Sequence, residues 1–218
     1  MKWLTDFATA TISVLTGKRP MKFGIDVSAA NGIIDWSGVA KNDPGIDFVY
    51  IKASEGVGYT DKRLFPNVAG AVKYGIPFGF YHFCTFNSLD VATDAGAEAK
   101  WFLQTVKKTG AAPSLPLVLD METNKTLSLT PNQVLKYATT FLEAITAANF
   151  KAAIYASPGF LASYLPPKHG LNQYPLWVAD YSGEINALNG WKSAWLHQYT
   201  DKGKIQGITT NVDLDRII

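Results

Sequence analysis

Asp120 and Glu122 close the apolar run 115–119, Leu-Pro-Leu-Val-Leu, and their spacing is the first sign of chemistry in the chain. An uninterrupted apolar run bounded by Pro113 and by polar residues predicts a strand buried on both faces. Side chains alternate along a strand, so Asp120 and Glu122 project together from its C-terminal tip while Met121 faces away. Two carboxylates placed so close cannot both ionise freely. One should therefore hold its proton to a higher pH, as general acid chemistry requires. The plainer alternative is a pair of solvated loop caps, and this stretch alone does not separate the two.

The rest of the chain must supply a frame for that tip, and its pattern alternates strand and helix. Strands are expected at 22–27, ending near Asp26, at 48–52, at 77–83, carrying Tyr81 and His82, and at 152–156. Helices are expected at 36–42, 63–74, 89–109, 130–148 and 157–164. The long third helix has apolar positions at Val91, Ala95, Ala99, Phe102 and Val106. Thr130-Pro131 and Ser157-Pro158 are start signals, a hydroxyl N-cap followed by proline at the first helical position. After Pro166-Pro167 the helices largely stop, and 176–179, 194–199 and 211–214 read as strands. Repeated βα units argue for a parallel sheet, and eight strands permit closure into a barrel. The fold class is thus α/β, an irregular TIM-like barrel in a single domain over 22–218. Residues 1–21 stand apart as an N-terminal extension with a helical stripe through Trp3, Leu4, Phe7, Ile12 and Leu15.

In a parallel barrel the C-terminal strand ends share one rim, where active sites lie. Asp26, Tyr81, Asp120, Glu122 and Asp213 all fall on that rim. Four carboxylates converging from distant segments are costly to bury without a use. The same rim should collect Tyr155, Trp177, Tyr181, Trp195, Gln198 and Tyr199, giving an acidic groove walled by aromatics. That combination suits carbohydrate cleavage through an oxocarbenium-like transition state. Glu55, in the polar loop after the second strand, either caps that loop or supports the groove. His82 reads as a hydrogen-bonded core histidine, and Asp180 and Asp215 as structural.

Composition narrows the partners. The 218 residues are 17% charged with a net charge of +2. No Lys/Arg run exceeds two residues, so a nucleic-acid face is not indicated. Cys84 is the lone cysteine, which excludes an intramolecular disulfide, and a buried inert thiol is the expected state. The three histidines have no zinc-ligand spacing, so neither metal nor cofactor is expected. No stretch is long and apolar enough to span a membrane, and Asp6 interrupts any secretory signal.

Several motifs in order carry a family resemblance: Gly24-Ile-Asp-Val-Ser28, Ile51-Lys-Ala-Ser-Glu-Gly56, Gly79-Phe-Tyr-His-Phe83, Leu117-Val-Leu-Asp-Met-Glu122, Leu176-Trp-Val-Ala179, His197-Gln-Tyr-Thr200 and Val212-Asp-Leu-Asp-Arg216. They resemble glycoside hydrolase family 25, the Chalaropsis-type lysozymes common among phage endolysins. The resemblance covers 22–218 and implies five βα units followed by three strands. It implies cleavage of the β-1,4 bond between N-acetylmuramic acid and N-acetylglucosamine in peptidoglycan, with retention. Its acidic positions match Asp26, Asp120, Glu122 and Asp213, with Glu122 in the place of the general acid. Asp120 takes the place of a carboxylate that either assists the substrate's acetamido group or attacks directly. Carboxylates two apart on one strand lie on the same side of the sugar, which favours assistance. Tyr81 would then bond the acetamido group. A monomer acting on the bacterial wall is expected, made in a host cytoplasm and released, or carried on a virion. A chitinase-like hydrolase and a non-catalytic wall-binding module are the alternatives.

Overall fold

The computed structural model describes residues 23–122, 128–185 and 188–218, so the N-terminal extension lies outside the described residues. Among the described residues nine strands and five helices follow one another: β1 (Phe23–Val27), α1 (Trp36–Ala40), β2 (Phe48–Glu55), β3 (Tyr59–Thr60), α2 (Leu64–Lys73), β4 (Phe78–Phe83), α3 (Val91–Lys108), β5 (Leu117–Asp120), α4 (Pro131–Ala147), β6 (Ala152–Ala156), α5 (Pro158–Tyr164), β7 (Leu176–Ala179), β8 (Leu196–Gly203) and β9 (Val212–Ile217). Eight of the strands close into a barrel in the order β1-β2-β4-β5-β6-β7-β8-β9, with β1 pairing both β2 and β9. The short β3 folds back on β2 outside the ring. Five βα units followed by three strands is the expected irregular TIM-like barrel.

Two features of the sheet depart from the sequence expectation. β9 runs antiparallel to both of its neighbours, β1 and β8. Its N-terminal end, not its C-terminal end, therefore lies on the rim where the parallel strands finish. Asp213 reaches that rim because it stands second in β9, directly opposite Asp26. Moreover, β2 does not stop at Lys52 but runs on to Glu55 through an irregularity, since Lys52 pairs Tyr81 while Ser54, not Ala53, pairs His82. The extra residue is a β-bulge, which re-aims the side chains beyond it. Alternation alone would turn Glu55 away from Lys52; the bulge brings both to the inner side of the rim.

The helices begin where their caps say. Thr130 forms a reciprocal capping box with Gln133, and Ser157 Oγ accepts from Phe160 N at 3.1 Å. Asp90 caps α3, and Lys107 and Lys108 sit in its last turn, where cations oppose the helix dipole. The α3 stripe at Val91, Ala95, Ala99, Phe102 and Val106 is buried against the barrel. Met121 turns into the same outer core, away from Asp120, and Cys84 is buried there with its thiol pushed up by loss of hydration.

The barrel interior is filled by Phe48, Tyr50, Tyr81, Val118, Ala153, Tyr155, Trp177 and Leu196. Large rings fit because their partners are small. A Cβ on Gly24 would fall within the Phe48 ring, and one on Gly79 would collide with Tyr50. Aromatic residues from β2 thus occupy space that neighbouring strands leave open, and the lower barrel is a packed plug. Above the plug the inward positions turn polar.

Candidate active site

The inward residues nearest the rim are Asp26 on β1, Tyr81 on β4, Asp120 on β5, Tyr155 on β6, Trp177 on β7, Gln198 on β8 and Asp213 on β9. With Glu122 they line a cavity of about 60 Å³. Seven of the eight barrel strands contribute a lining residue, β2 being the exception, which is why segments far apart in the chain meet in so small a space. Strand alternation brings both Asp120 and Glu122 to this cavity: Asp120 is buried at its floor and Glu122 stands exposed at its mouth.

Gln198 is the hub of the hydrogen bonding. Its Nε2 donates to Asp26 Oδ2 at 2.7 Å. Its Oε1 accepts the hydroxyls of Tyr155 at 2.9 Å and Tyr181 at 2.6 Å. The amide is thereby fixed in one orientation and Asp26 with it. At the base Trp177 Nε1 donates to Asp215 Oδ1 at 2.9 Å. Among the described residues nothing donates to Asp120 Oδ1, although it is buried. An acceptor left bare beside a cavity is a place for a ligand's N–H.

The electrostatics follow from four carboxyls that share one small space and are mostly buried. Asp26 is pushed well above the carboxylate range, first by burial and then by the charges of Asp215 and Asp213. Burial and then Glu122 raise Asp120, against the pull of Lys52. Glu122 is raised chiefly by lost hydration, with Lys52 opposing and Asp213 adding. Asp213 is raised mainly by burial. Tyr81 is raised by burial and then by Asp26, Asp120 and Asp213, so its phenol stays a hydrogen-bond donor. Acids that hold their protons above the ordinary carboxylate range beside an acceptor-rich cavity suit proton donation to a leaving oxygen.

These shifts have a stability consequence. A carboxyl raised in the fold stabilises the native state below its unfolded value, and that contribution is lost as pH rises through the folded value. Asp120→Asn should therefore melt with the wild type below pH 3.8 and pull ahead of it as pH rises, since Asn cannot ionise. Each kcal/mol of relief would raise Tm by roughly 2–4 °C in a domain of this size. Thermal melts of the two proteins across pH check this; parallel curves would mean that the Asp120 carboxyl is not strained.

Not every expected residue meets the others. Glu55 pairs with Lys52 at 2.7 Å beside the cavity and acts on Asp120 through its charge. Tyr181 stands half exposed at the edge, held by its bond to Gln198. Trp195 precedes β8 and lies at the opposite end of the barrel, edge-on to Tyr50 and bonded by its backbone to Leu176. Tyr199 turns outward with His197, under the Arg216 guanidinium. Neither Trp195 nor Tyr199 lines the cavity. Asp180 accepts from the backbone and hydroxyl of Ser182, a local turn. His82 is a fully buried core histidine.

Sequence reasoning passed over Lys52 and read Asp215 only as structural. Lys52 projects its ammonium over the Phe83 ring and pulls the carboxyls of both Asp120 and Glu122 downward. A lone charge two residues after the inward Tyr50 was the available signal. Asp215 lies inside the barrel, fully buried, two residues after Asp213 on the same face. The rule that paired Asp120 with Glu122 would have found it.

Comparison with known proteins identifies the family of this fold. Residues 25–208 match the sequence model of Glycosyl hydrolases family 25. The autolytic lysozyme of Clostridium acetobutylicum is 29% identical over 192 residues, covering 88% of this chain and 54% of that protein. Lysozyme M1 of Streptomyces globisporus is 30% identical over 205 residues, covering 88% of this chain and 66% of that protein. The chain thus spans between about half and two thirds of these curated relatives. The crystal structure of the bacterial lysozyme from Streptomyces coelicolor superposes with a TM-score of 0.78 at 26% identity, covering 92% of this chain and 93% of that one. An acid-lined rim on a barrel of five βα units and three strands, and a family match across most of its length, place this chain in glycosyl hydrolase family 25.

Proposed function

We propose that the chain is a lysozyme, an N-acetylmuramidase that hydrolyses the β-1,4 bond between N-acetylmuramic acid and N-acetylglucosamine in bacterial peptidoglycan. The observation that carries this is the meeting of Asp26, Tyr81, Asp120, Glu122 and Asp213 around one small cavity in a family 25 barrel. The lysozyme names of its relatives support the choice of polymer.

In this reading Glu122, at the mouth, gives its proton to the glycosidic oxygen as the bond from that oxygen to C1 breaks. The substrate's acetamido oxygen closes on C1 from the other side, and Asp120 takes the acetamido N–H on its bare Oδ1. Water then attacks C1 and leaves its proton on Glu122 while the bond from C1 to the acetamido oxygen breaks and Asp120 leaves the N–H with the restored amide, so two inversions give retention. Tyr81 donates to the acetamido group, and Asp26 and Asp213 orient the water. The aromatic and polar edge formed by Tyr155, Trp177 and Tyr181 holds the sugars. All of these groups come from one chain, so a monomer acting on the cell wall suffices, without cofactor or nucleic acid.

Mass spectrometry of digested peptidoglycan tests the proposal. New reducing ends should be N-acetylmuramic acid. Reducing-end N-acetylglucosamine would overturn it, and an intact wall beside degraded chitin would favour the chitinase-like alternative.

A further inference from the structure

A buried carboxyl inside the barrel has no part in that mechanism. Asp215 is fully buried, and Trp177 Nε1 donates to its Oδ1 at 2.9 Å. Among the described residues nothing donates to its Oδ2. In the β1–β9 pairing Asp213 stands opposite Asp26 and Asp215 opposite Gly24, so the Asp215 carboxyl lies diagonally beside Asp26 on the inward face, below Asp213, and the two carboxyls act on each other. Gln198 holds Asp26 from the β8 side through Oδ2. The groups that act on Asp215 are Trp177 from β7, Asp213 from β9 and Asp26 from β1, and Gln198 of β8 stands opposite it in register. Tyr50 and Tyr199 feel its charge in turn. Among the described residues no cation is one of the groups that act on it.

Two ionised carboxyls at that distance in a dry interior repel strongly, and neither has a cation to offset the other. A hydrogen-bonded acid–carboxylate pair removes the conflict, as in other sites where two carboxyls share a proton. Taking the lysozyme reading as given, we propose that Asp215 is a positioning residue: it shares a single proton with Asp26, and this hydrogen bond, opposite the one from Gln198, fixes Asp26 at the cavity edge. Burial raises both carboxyls well above their ordinary range, in keeping with a retained proton. The proton belongs to the pair, not to either residue.

Infrared spectroscopy and kinetics test this together. At neutral pH the wild type should show a protonated-carboxyl stretch that disappears in both Asp215→Asn and Asp26→Asn. Either amide can donate to the remaining carboxylate and replace the shared proton. A band that survives Asp215→Asn, or different bands lost in the two variants, would overturn the proposal. On peptidoglycan Asp215→Leu, which has no donor, should lose roughly 10- to 100-fold in kcat with little change in KM, as expected when a reacting group is misplaced. Asp215→Asn should recover most of that loss. An Asn variant as slow as Leu would show that charge is required, and a Leu variant as fast as wild type would reduce Asp215 to packing. Should Asp215→Leu fail to fold, the Asn variants and the infrared bands still decide. A wild type that releases no muropeptide would sink the lysozyme reading, while the infrared comparison would still answer for the shared proton.

Discussion

Glu122→Gln is expected to lower peptidoglycan turnover by roughly 10²- to 10⁴-fold, the range a positioned general acid contributes. The variant should keep its fold and its affinity for glycan. Glu122 is exposed at the mouth, so Gln fills the same space without disturbing the packed plug below. What Gln lacks is a proton that can leave. In the wild type partial loss of hydration and the charge of Asp213 raise the Glu122 value, against the pull of Lys52. This opposition yields a second expectation in the same assay. Lys52→Met should raise the Glu122 value further and move the alkaline limb of the activity profile to higher pH. Counting muropeptides with new N-acetylmuramic acid reducing ends gives the rate for each protein. Activity in Glu122→Gln within tenfold of wild type would remove Glu122 from the acid role and turn attention to Asp120, the other carboxyl of the pair.

The acidic pair was legible because strand alternation is local. Asp120 and Glu122 share a face whatever the rest of the chain does, and Met121 opposes them in any strand. The βα order was equally legible, since caps such as Thr130 and Ser157 act within one turn of their own helix. What failed depended on partners far along the chain. The direction of β9 is set by its pairing to β1 and β8, and nothing within residues 212–217 encodes it. The placement of Trp195 followed from treating a residue just before a strand as though it lay at that strand's far end. Tyr199 is an exception, missed against a local rule: it faces outward by the same alternation that turns Gln198 into the cavity. Glu55 stayed ambiguous because the bulge before it is tied to His82 on another strand. Asp215 is the instructive case: its alternation with Asp213 was in plain view, but a burial cost shared with Asp26 emerges only when β9 is laid beside β1.

Glu98→Leu is expected to destabilise the protein by about 2–5 kcal/mol, because it leaves the buried His82 Nε2 and the Thr85 hydroxyl without their acceptor, at about 1–3 kcal/mol each. Glu98 and His82 are both fully buried, with Glu98 Oε2 at 2.7 Å from His82 Nε2. Glu98 Oε1 accepts the Thr85 hydroxyl at 2.7 Å, and His82 Nδ1 meets the Ser54 hydroxyl at 2.9 Å. His82 is sandwiched near Phe141 and Phe102, so no water can replace a lost partner. The relay joins α3 to β4 and β4 to β2 at the bulge that directs Glu55 and Lys52 to the rim. Burial depresses His82, and Glu98 works against that shift. A histidine depressed in the fold contributes stability above its unfolded value of 6.5, lost as pH falls through the folded value. Removing Glu98 should therefore make the melt more sensitive to acid below that pH, because His82 would meet its proton without a counter-charge. Combining Glu98→Leu with His82→Phe should recover much of the loss, since an apolar pair leaves only the Thr85 and Ser54 hydroxyls to find other partners. Chemical denaturation of the two single variants and the double one measures the coupling. Additive losses would mean that the two residues stabilise the barrel independently, and that the bulge, with the position of Glu55, does not depend on their bond.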